Sequence, residues 1–279
     1  MSRFVRCIAA LAVVGLALAA CAGSTTPQAT GTSANPCSPP SVITSGTFTV
    51  GAEFPYYEPF LIGSQSNPTG SEGEMINEIT KRLGLGTVKW VNIAFDQLYA
   101  PGTKKFDVGV SEITITQERA QAVDFSEPYF DANQGILVRA DSKYANAAKT
   151  EDLLGAKFGA EAGTTGLDYI NAHVKPQKKV SQFDTTDVTA QALKTGTIDI
   201  QIIDVPIAAG IRDGSKVPLK IIGEFVTNEQ YGLAMQKGSP IKSCVDQAIK
   251  DLKADGTLAK IQNKYFPGTT PLPAFQPTA

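Results

Sequence analysis

Apolar residues along most of the chain follow either the spacing of a helix or the spacing of a strand. Met75, Ile79 and Leu83 recur every four residues, which predicts one apolar face of a helix over 74–83. An isoleucine stands at every second position of 198–203, which predicts a strand with one buried face, although polar residues interrupt the other face. The same two spacings predict further strands at 47–50, 88–91, 106–110, 134–138, from 157, 219–222 and 231–235, and further helices at 117–120, 166–171, 188–193, 241–252 and 258–265.

Strands that alternate with helices in this way predict an α/β fold with mainly parallel sheets. The elements form two series, and each series is long enough for one sheet, so we expect two lobes rather than one. In folds of this class, ligands bind beyond the carboxyl ends of the strands. A cleft between the lobes is therefore the expected ligand site.

The first twenty residues have the pattern of a secretory signal peptide. Arg3 and Arg6 precede an apolar stretch at 7–20 that is too short to span a bilayer comfortably. The stretch ends in Leu-Ala-Ala-Cys at 18–21, which resembles the lipobox of bacterial lipoproteins. That resemblance implies cleavage after residue 20 and a lipid anchor on Cys21. An ordinary signal peptide that ends beside a cysteine is the alternative.

The segment 21–42 has the composition of a flexible tether. It is rich in Ser, Thr, Pro, Gly and Ala, and it has neither charge nor an apolar period. Two further cysteines, Cys37 and Cys244, would lie in an exported protein, where disulfide bonds persist. We expect a bond between them that pins the end of the tether to a late helix, with two unpaired thiols as the alternative.

Charge and histidine content exclude several classes of function. The 279 residues include 25 basic and 27 acidic ones, so a net charge of −2 provides no long-range attraction for nucleic acid. The single histidine excludes any metal motif that needs two. We expect neither a metal nor another cofactor.

Two nearly adjoining segments carry the most specific motif in the chain. Residues 111–119 read Ser-Glu-Ile-Thr-Ile-Thr-Gln-Glu-Arg, and residues 122–129 read Ala-Val-Asp-Phe-Ser-Glu-Pro-Tyr. The pair resembles the signature of family 3 solute-binding proteins, the polar amino acid receptors of bacterial ABC importers. Further blocks match that family in the same order, at 70–75, 163–166, 203–206, 231–233 with 237–239, and 252–258.

The resemblance covers about 46–267 and implies a type II-like periplasmic-binding-protein fold. In that fold each lobe is a mainly parallel sheet with flanking helices, and two hinge strands, here near 130–134 and 227–230, join the lobes. The expected organisation is a signal peptide at 1–20, a lipidated cysteine and tether at 21–42, a first lobe at 43–132 and 229–279, and a second lobe at 133–228.

A receptor for a zwitterion needs a fixed cation, a fixed anion and neutral donors. Arg119 can clamp an α-carboxylate through two parallel hydrogen bonds. The resemblance places Thr164 and Thr165 at a helix start that would hold the same carboxylate from the other lobe. Asp204 ends the isoleucine-rich strand and would accept the α-ammonium. Thr114, with the backbone carbonyl of residue 112, would complete the ammonium or the carboxylate contacts.

The side-chain end of the expected pocket is rich in carboxylates. Glu53, Glu112 and Glu161 fall at ligand-facing positions of the family, although any of them could instead point into solvent. Tyr57 is the expected aromatic residue against the ligand, and Tyr56 is the alternative because this loop has one extra residue. An anionic side chain would be repelled by these groups, so we expect a cationic or neutral polar amino acid.

These observations predict a monomeric receptor that is lipid-anchored on the extracytoplasmic face and delivers an amino acid to an ABC permease by hinge closure. One alternative is a ligand-sensing module for a membrane kinase. The other is a dehydratase-type enzyme on the same fold, in which Glu112 or Glu161 acts as general acid.

Overall fold

A computed structural model describes residue 37, residues 40–268 and residues 271–278 of the chain. The predicted signal peptide at 1–20, the lipidation site at Cys21 and most of the predicted tether lie outside the described residues. Within the described part, no helix is long and apolar enough to cross a membrane.

The first sheet forms the core of the first lobe. Its strands are β1 (Thr47–Ala52), β4 (Thr87–Asn92), β5 (Val108–Gly109), β6 (Val123–Phe125) and β12 (Ala234–Gln236), in the order β4-β1-β5-β12-β6. A hairpin and five helices accompany it: β2 (Ile62–Ser64), β3 (Asn67–Thr69), α1 (Gly70–Arg82), α2 (Phe95–Tyr99), α3 (Arg119–Ala122), α7 (Lys242–Ala254) and α8 (Thr257–Tyr265). The apolar face of α1 predicted from Met75 and Ile79 is buried, and α1, α7 and α8 pack together.

The second sheet forms the core of the second lobe. Its strands are β7 (Phe130–Arg139), β8 (Phe158–Glu161), β9 (Ser181–Phe183), β10 (Ile200–Asp204) and β11 (Leu219–Tyr231), in the order β11-β7-β10-β8-β9. The accompanying helices are α4 (Thr165–Tyr169), which continues as a π-helical turn over Ile170–Val174, α5 (Thr186–Lys194) and α6 (Val205–Asp213), with a 3₁₀ turn at Thr150–Leu153.

Both sheets are more mixed than the predicted parallel arrangement. Each contains two parallel and two antiparallel pairs of strands, because β12 runs antiparallel to β5 and β6 in the first sheet and β7 runs antiparallel to β10 and β11 in the second. The isoleucine-rich strand β10 is the central strand of the second sheet and is buried on both faces, so even Gln201 is inaccessible. The predicted strand at 231–235 is interrupted, since β11 ends at Tyr231 and β12 begins at Ala234.

Strands β7 and β11 run side by side from one lobe towards the other, at the two predicted crossovers. They pair antiparallel, with Phe130 opposite Tyr231, and the pairing is irregular between Phe225 and Glu229. The rings of Phe130 and Tyr231 stack with their centroids 5.6 Å apart. Beyond this point the chain joins the first lobe, where the Ile115 N–H donates to the carbonyl of residue 230 at 2.8 Å. This pair of strands is the hinge segment.

The C-terminal segment 271–278 contacts the second lobe, although the predicted first lobe includes all of 229–279. The N–H of Glu224 donates to the backbone carbonyl of Pro273 at 2.9 Å, and the N–H of Phe275 donates to the backbone carbonyl of Glu224 at 2.7 Å. The Phe275 ring is 3% exposed and lies where a Cβ on Gly223 would come within 2.4 Å of it. One phenylalanine thus anchors a segment that has no apolar period, which is why the sequence pattern did not reveal it.

The predicted bond between Cys37 and Cys244 is present in the structure. Their Cα atoms are 5.4 Å apart, and the bond joins residues separated by 207 positions. Cys244 lies buried on α7, so the bond fixes the start of the described chain to the first lobe.

Candidate functional site

A cavity lies between the lobes at the carboxyl ends of β1, β5, β8 and β10. Parallel strands end at the same edge of a sheet, so side chains that directly follow them converge there. Nine of the ten residues predicted to contact a ligand line this interlobe cavity: Glu53, Tyr57, Glu112, Thr114, Arg119, Glu161, Thr164, Thr165 and Asp204. Tyr56 does not; its hydroxyl donates to the carbonyl of Gln65 at 2.9 Å outside the cavity.

The guanidinium of Arg119 is a buried cation that contacts both lobes. Its backbone N–H donates to Thr116 Oγ1 at 3.1 Å, which fixes the start of α3. Its guanidinium donates to the Thr114 carbonyl at 2.8 Å and to the Gly163 carbonyl of the second lobe at 2.9 Å. The guanidinium also lies 4.3 Å from the centroid of the Tyr99 ring, a cation–π contact. The side chain is therefore held in place before any ligand arrives.

The glycine turn before α4 brings the second lobe against Arg119. Gly163 has a φ of +76°, and a Cβ there would come within 2.5 Å of the Tyr99 hydroxyl, so glycine is required. That hydroxyl donates to the Gly163 carbonyl at 2.8 Å. Thr164 caps α4, since its Oγ1 accepts from the Leu167 N–H at 3.3 Å. These contacts join the two lobes in a closed arrangement.

Asp204 places a buried carboxylate in the cavity from the second lobe. It is the residue before α6, but its side chain does not cap that helix. Instead it accepts hydrogen bonds from the Gln134 amide and the Tyr231 hydroxyl. Burial raises its pKa to about 7, Glu229 adds to the rise, and Arg119 opposes it more weakly. A cationic ligand group at this point would favour the ionised form.

Glu53 and Glu161 face the cavity from opposite lobes. Glu53 accepts from the Phe95 N–H at 3.3 Å and from the Tyr57 hydroxyl at 3.4 Å. Burial raises the pKa of Glu53 to about 7 despite these donors. Burial raises the pKa of Glu161 to about 8, and the neighbouring Glu53 carboxylate contributes. Both glutamates are at most 5% exposed, so neither points into solvent.

Glu112 forms a second carboxyl pair with Glu72, a residue that the sequence analysis did not select. Glu112 has a φ of +50°, and its N–H donates to Glu72 Oε1 at 3.0 Å. Glu72 also accepts from the Tyr129 hydroxyl. Burial raises the pKa of Glu72 to about 7, and burial with the Glu72 charge raises that of Glu112 well above its usual range. Two buried carboxyl groups this close together disfavour each other's ionised form.

The sequence model of bacterial extracellular solute-binding proteins, family 3, matches residues 48–268, most of the chain described above. The chain belongs to this family. The L-cystine-binding protein TcyJ of Escherichia coli is 29% identical to this solute-binding protein over 226 residues, 79% of this chain and 83% of that protein. The ABC transporter arginine-binding protein 1 of Escherichia coli is 30% identical over 230 residues, 79% of this chain and 90% of that protein.

A solved structure resembles this solute-binding protein over both lobes. It is the arginine-, lysine-, histidine-binding protein ArtJ from the thermophilic bacterium Geobacillus stearothermophilus, with a TM-score of 0.70 and 31% identity. The likeness covers 80% of this chain and 96% of that one. It confirms the predicted two-lobed fold, and all three relatives are named for binding rather than catalysis.

Several residues in or near the cavity of this solute-binding protein were not predicted from sequence, among them Phe95, Gln134 and Glu229. Phe95 lines the cavity beneath the guanidinium, with its ring centroid 5.4 Å from Arg119 Cζ. Gln134 and Glu229 come from the two strands of the hinge segment and hydrogen-bond to each other at 3.0 Å. A signal existed for the last two, since each is a polar residue inside a predicted crossover.

Proposed function

We propose that this solute-binding protein captures a free polar L-α-amino acid between its lobes and passes it to the permease of an ABC importer. One observation carries the proposal. Arg119 of the first lobe and Asp204 of the second are both buried, carry opposite charges when ionised, and line the same cavity. An α-carboxylate and an α-ammonium match this pair, and every free amino acid carries both.

The part of the cavity expected to hold the ligand's side chain favours a cationic group. Glu53, Glu112 and Glu161 line it, while Arg119 is the basic residue among those that line the described cavity. When a guanidinium or ammonium group of the ligand binds there, the carboxyl groups would lose their protons and form an ion pair with it. An anionic side chain would meet an acidic cavity with no second cation. The Tyr57 ring, 8% exposed, provides an apolar surface for the methylene groups of such a ligand.

Hinge closure follows from the split of the charges between the lobes. A ligand held by Arg119 and Asp204 gains both contacts only when the lobes are closed, so binding favours the closed form. Hydrogen bonds from Arg119 and Tyr99 to the Gly163 carbonyl join the lobes directly and add to that preference.

The lipid anchor on Cys21 and the extracytoplasmic location are part of the proposal. The body would be held near the membrane by the 21–42 segment, where a permease could accept the ligand. A sensory role beside a membrane kinase would use the same closed form. Labelling with a palmitate analogue, compared between the full chain and a Cys21→Ala variant, tests the anchor, and ligand uptake in cells lacking the protein separates transport from sensing.

Calorimetry tests the binding function. The mature protein is titrated with the twenty amino acids, ornithine and citrulline. We expect L-arginine, L-lysine or ornithine to bind, and Arg119→Ala to abolish binding of whichever ligand binds. Arg212→Ala removes an exposed arginine that pairs with Asp213 away from the cavity and should leave binding intact. Normal binding by Arg119→Ala would show that the carboxylate clamp is wrongly placed.

One observation favours a second candidate, a dehydratase-type enzyme. The pKa of Glu161 is raised to about 8, so its carboxyl is protonated at neutral pH, as a general acid requires. Asp204, which suits an amino group, argues for binding instead. Mass spectrometry of the ligand after incubation separates the two, because a binding protein returns it unchanged.

A further inference from the structure

We propose that Glu229 is a positioning residue that makes the hydroxyl groups of Thr114 and Thr165 acceptors for the ligand's α-ammonium. Recognition of the amino group is then shared between Asp204 and two hydroxyl oxygens, one from each lobe. The inference rests on the proposed function, since it assigns the amino-group side of that same site. It also decides between the ammonium and carboxylate roles that the sequence left open for Thr114.

The geometry places one carboxylate behind both threonines. Thr114 Oγ1 donates to Glu229 Oε2 at 2.8 Å, and Thr165 Oγ1 donates to the same oxygen at 2.6 Å. Glu229 lies in the hinge segment, beside the irregularity in the pairing of β11, and its carboxylate contacts a threonine of each lobe. Thr114 and Thr165 belong to different lobes and both line the cavity. The Glu229 carboxylate therefore joins the lobes through two ligand-facing hydroxyls.

Counting protons fixes the direction of these hydroxyls. A hydroxyl group has one proton to donate and two lone pairs that accept. A carboxylate only accepts, so the single proton of each threonine hydroxyl is committed to Glu229. What each oxygen can still offer to the cavity is an acceptor site. An α-ammonium has three protons to give and fits this arrangement, whereas an α-carboxylate has none.

The Gln134 amide links the carboxyl groups of Glu229 and Asp204. Its Nε2 donates to Glu229 Oε1 at 3.0 Å and also to Asp204. The same nitrogen lies 3.3 Å from Thr165 Oγ1, so the amide also adjoins one of the two hydroxyls. Asp204, Glu229 and the two hydroxyl oxygens thus form one acceptor group, linked by a single amide. The positive charge of the ligand's ammonium offsets part of the negative charge of these two carboxyl groups, and Arg119 remains for the carboxylate.

A double-mutant cycle tests the inference. The variants are Thr114→Val, which removes the hydroxyl at nearly constant shape, Glu229→Gln, and both together. The probes are the tightest-binding amino acid of the panel and its 2-hydroxy acid analogue, which keeps the carboxylate and lacks the ammonium. We expect each single variant to weaken amino acid binding by about tenfold, and the double variant to be little worse than either.

The 2-hydroxy acid separates the loss of an ammonium contact from a general structural defect, because a structural defect would weaken the binding of both probes. The 2-hydroxy acid should bind weakly to the native protein and lose less than threefold on either substitution. Thr114→Ser, which keeps the hydroxyl, should restore amino acid binding. Glu224→Gln, on the same strand but outside the cavity lining, is the matched control and should change neither probe.

Two results would overturn the inference while leaving the proposed function intact. Equal losses for the amino acid and the hydroxy acid would mean that the hydroxyls serve the carboxylate. Additive losses in the double variant would mean that Glu229 does not act through Thr114. Failure of every amino acid to bind would instead contradict the proposed function itself, and thermal unfolding of each variant identifies any that fails to fold.

Discussion

The affinity for a cationic amino acid should rise with pH, because Glu53 and Glu161 must lose protons to pair with the ligand. Their pKa values are raised to about 7 and about 8, mainly by burial. Asp187 near both groups and Asp96 near Glu53 add to the rise, whereas the Phe95 N–H and hydrogen bonds from Thr186 oppose it. A ligand cation reverses the balance by favouring the charged carboxylates.

The size of the change in affinity follows from the fraction of the Glu161 carboxyl that is already ionised before the ligand binds. With Glu161 alone, affinity should increase on the order of 50-fold between pH 6 and pH 8, and the slope steepens below pH 7 where Glu53 also gains a proton. The stability of the ligand-free protein should change with pH in the opposite direction to the ligand affinity. A carboxyl whose pKa is raised in the folded state stabilises the ligand-free protein most below the unfolded pKa, and this contribution is lost as pH rises through the folded value.

The assay compares L-arginine with L-citrulline, its neutral analogue, by calorimetry from pH 6 to pH 8.5. Asp204, with a pKa raised to about 7, affects both ligands through the α-ammonium, so the difference between the two slopes isolates the side-chain carboxylates. Glu161→Gln should remove most of that difference. Equal slopes for the two ligands, or affinity for L-arginine that does not change with pH, would show that Glu53 and Glu161 do not pair with the ligand side chain.

Three further predictions concern the closed lobes and the bonds that stabilise them. Cys37→Ser should lower the free energy of unfolding in urea by about 2–5 kcal/mol, and a reductant should then have no further effect. Gly163→Ala should weaken ligand binding about tenfold, because a left-handed residue gains a Cβ against the Tyr99 hydroxyl, whereas Gly84→Ala, strained but uncrowded, should bind normally. Phe275→Ala should destabilise the protein by about 3 kcal/mol in the same urea assay; an unchanged midpoint would mean that the C-terminal segment does not anchor there.

Residues at strand ends could be predicted from the sequence, because the chain itself marks where a strand stops. Asp204 ends an isoleucine-rich strand and Glu161 ends β8, and both reach the cavity as expected. Glu72 could not be found in this way. It lies in the first turn of α1, where an acidic residue commonly favours the helix dipole, and only the fold brings it against Glu112.

The side chain of Glu229 and the C-terminus escaped prediction for a different reason. Glu229 lies beside an irregularity in the pairing of β11, and no apolar spacing in the sequence reveals such an irregularity. The segment 271–278 has too few apolar residues for any period. Its position depends on how the Phe275 ring fits over a glycine of a distant strand.

The most direct test of the central claim is a crystal structure of the mature protein with its tightest-binding amino acid. We expect closed lobes, the α-carboxylate within hydrogen-bond distance of the Arg119 guanidinium, and the α-ammonium within that distance of Asp204 and the Thr114 hydroxyl. A ligand bound with its head group reversed, or bound away from both charged residues, would contradict it.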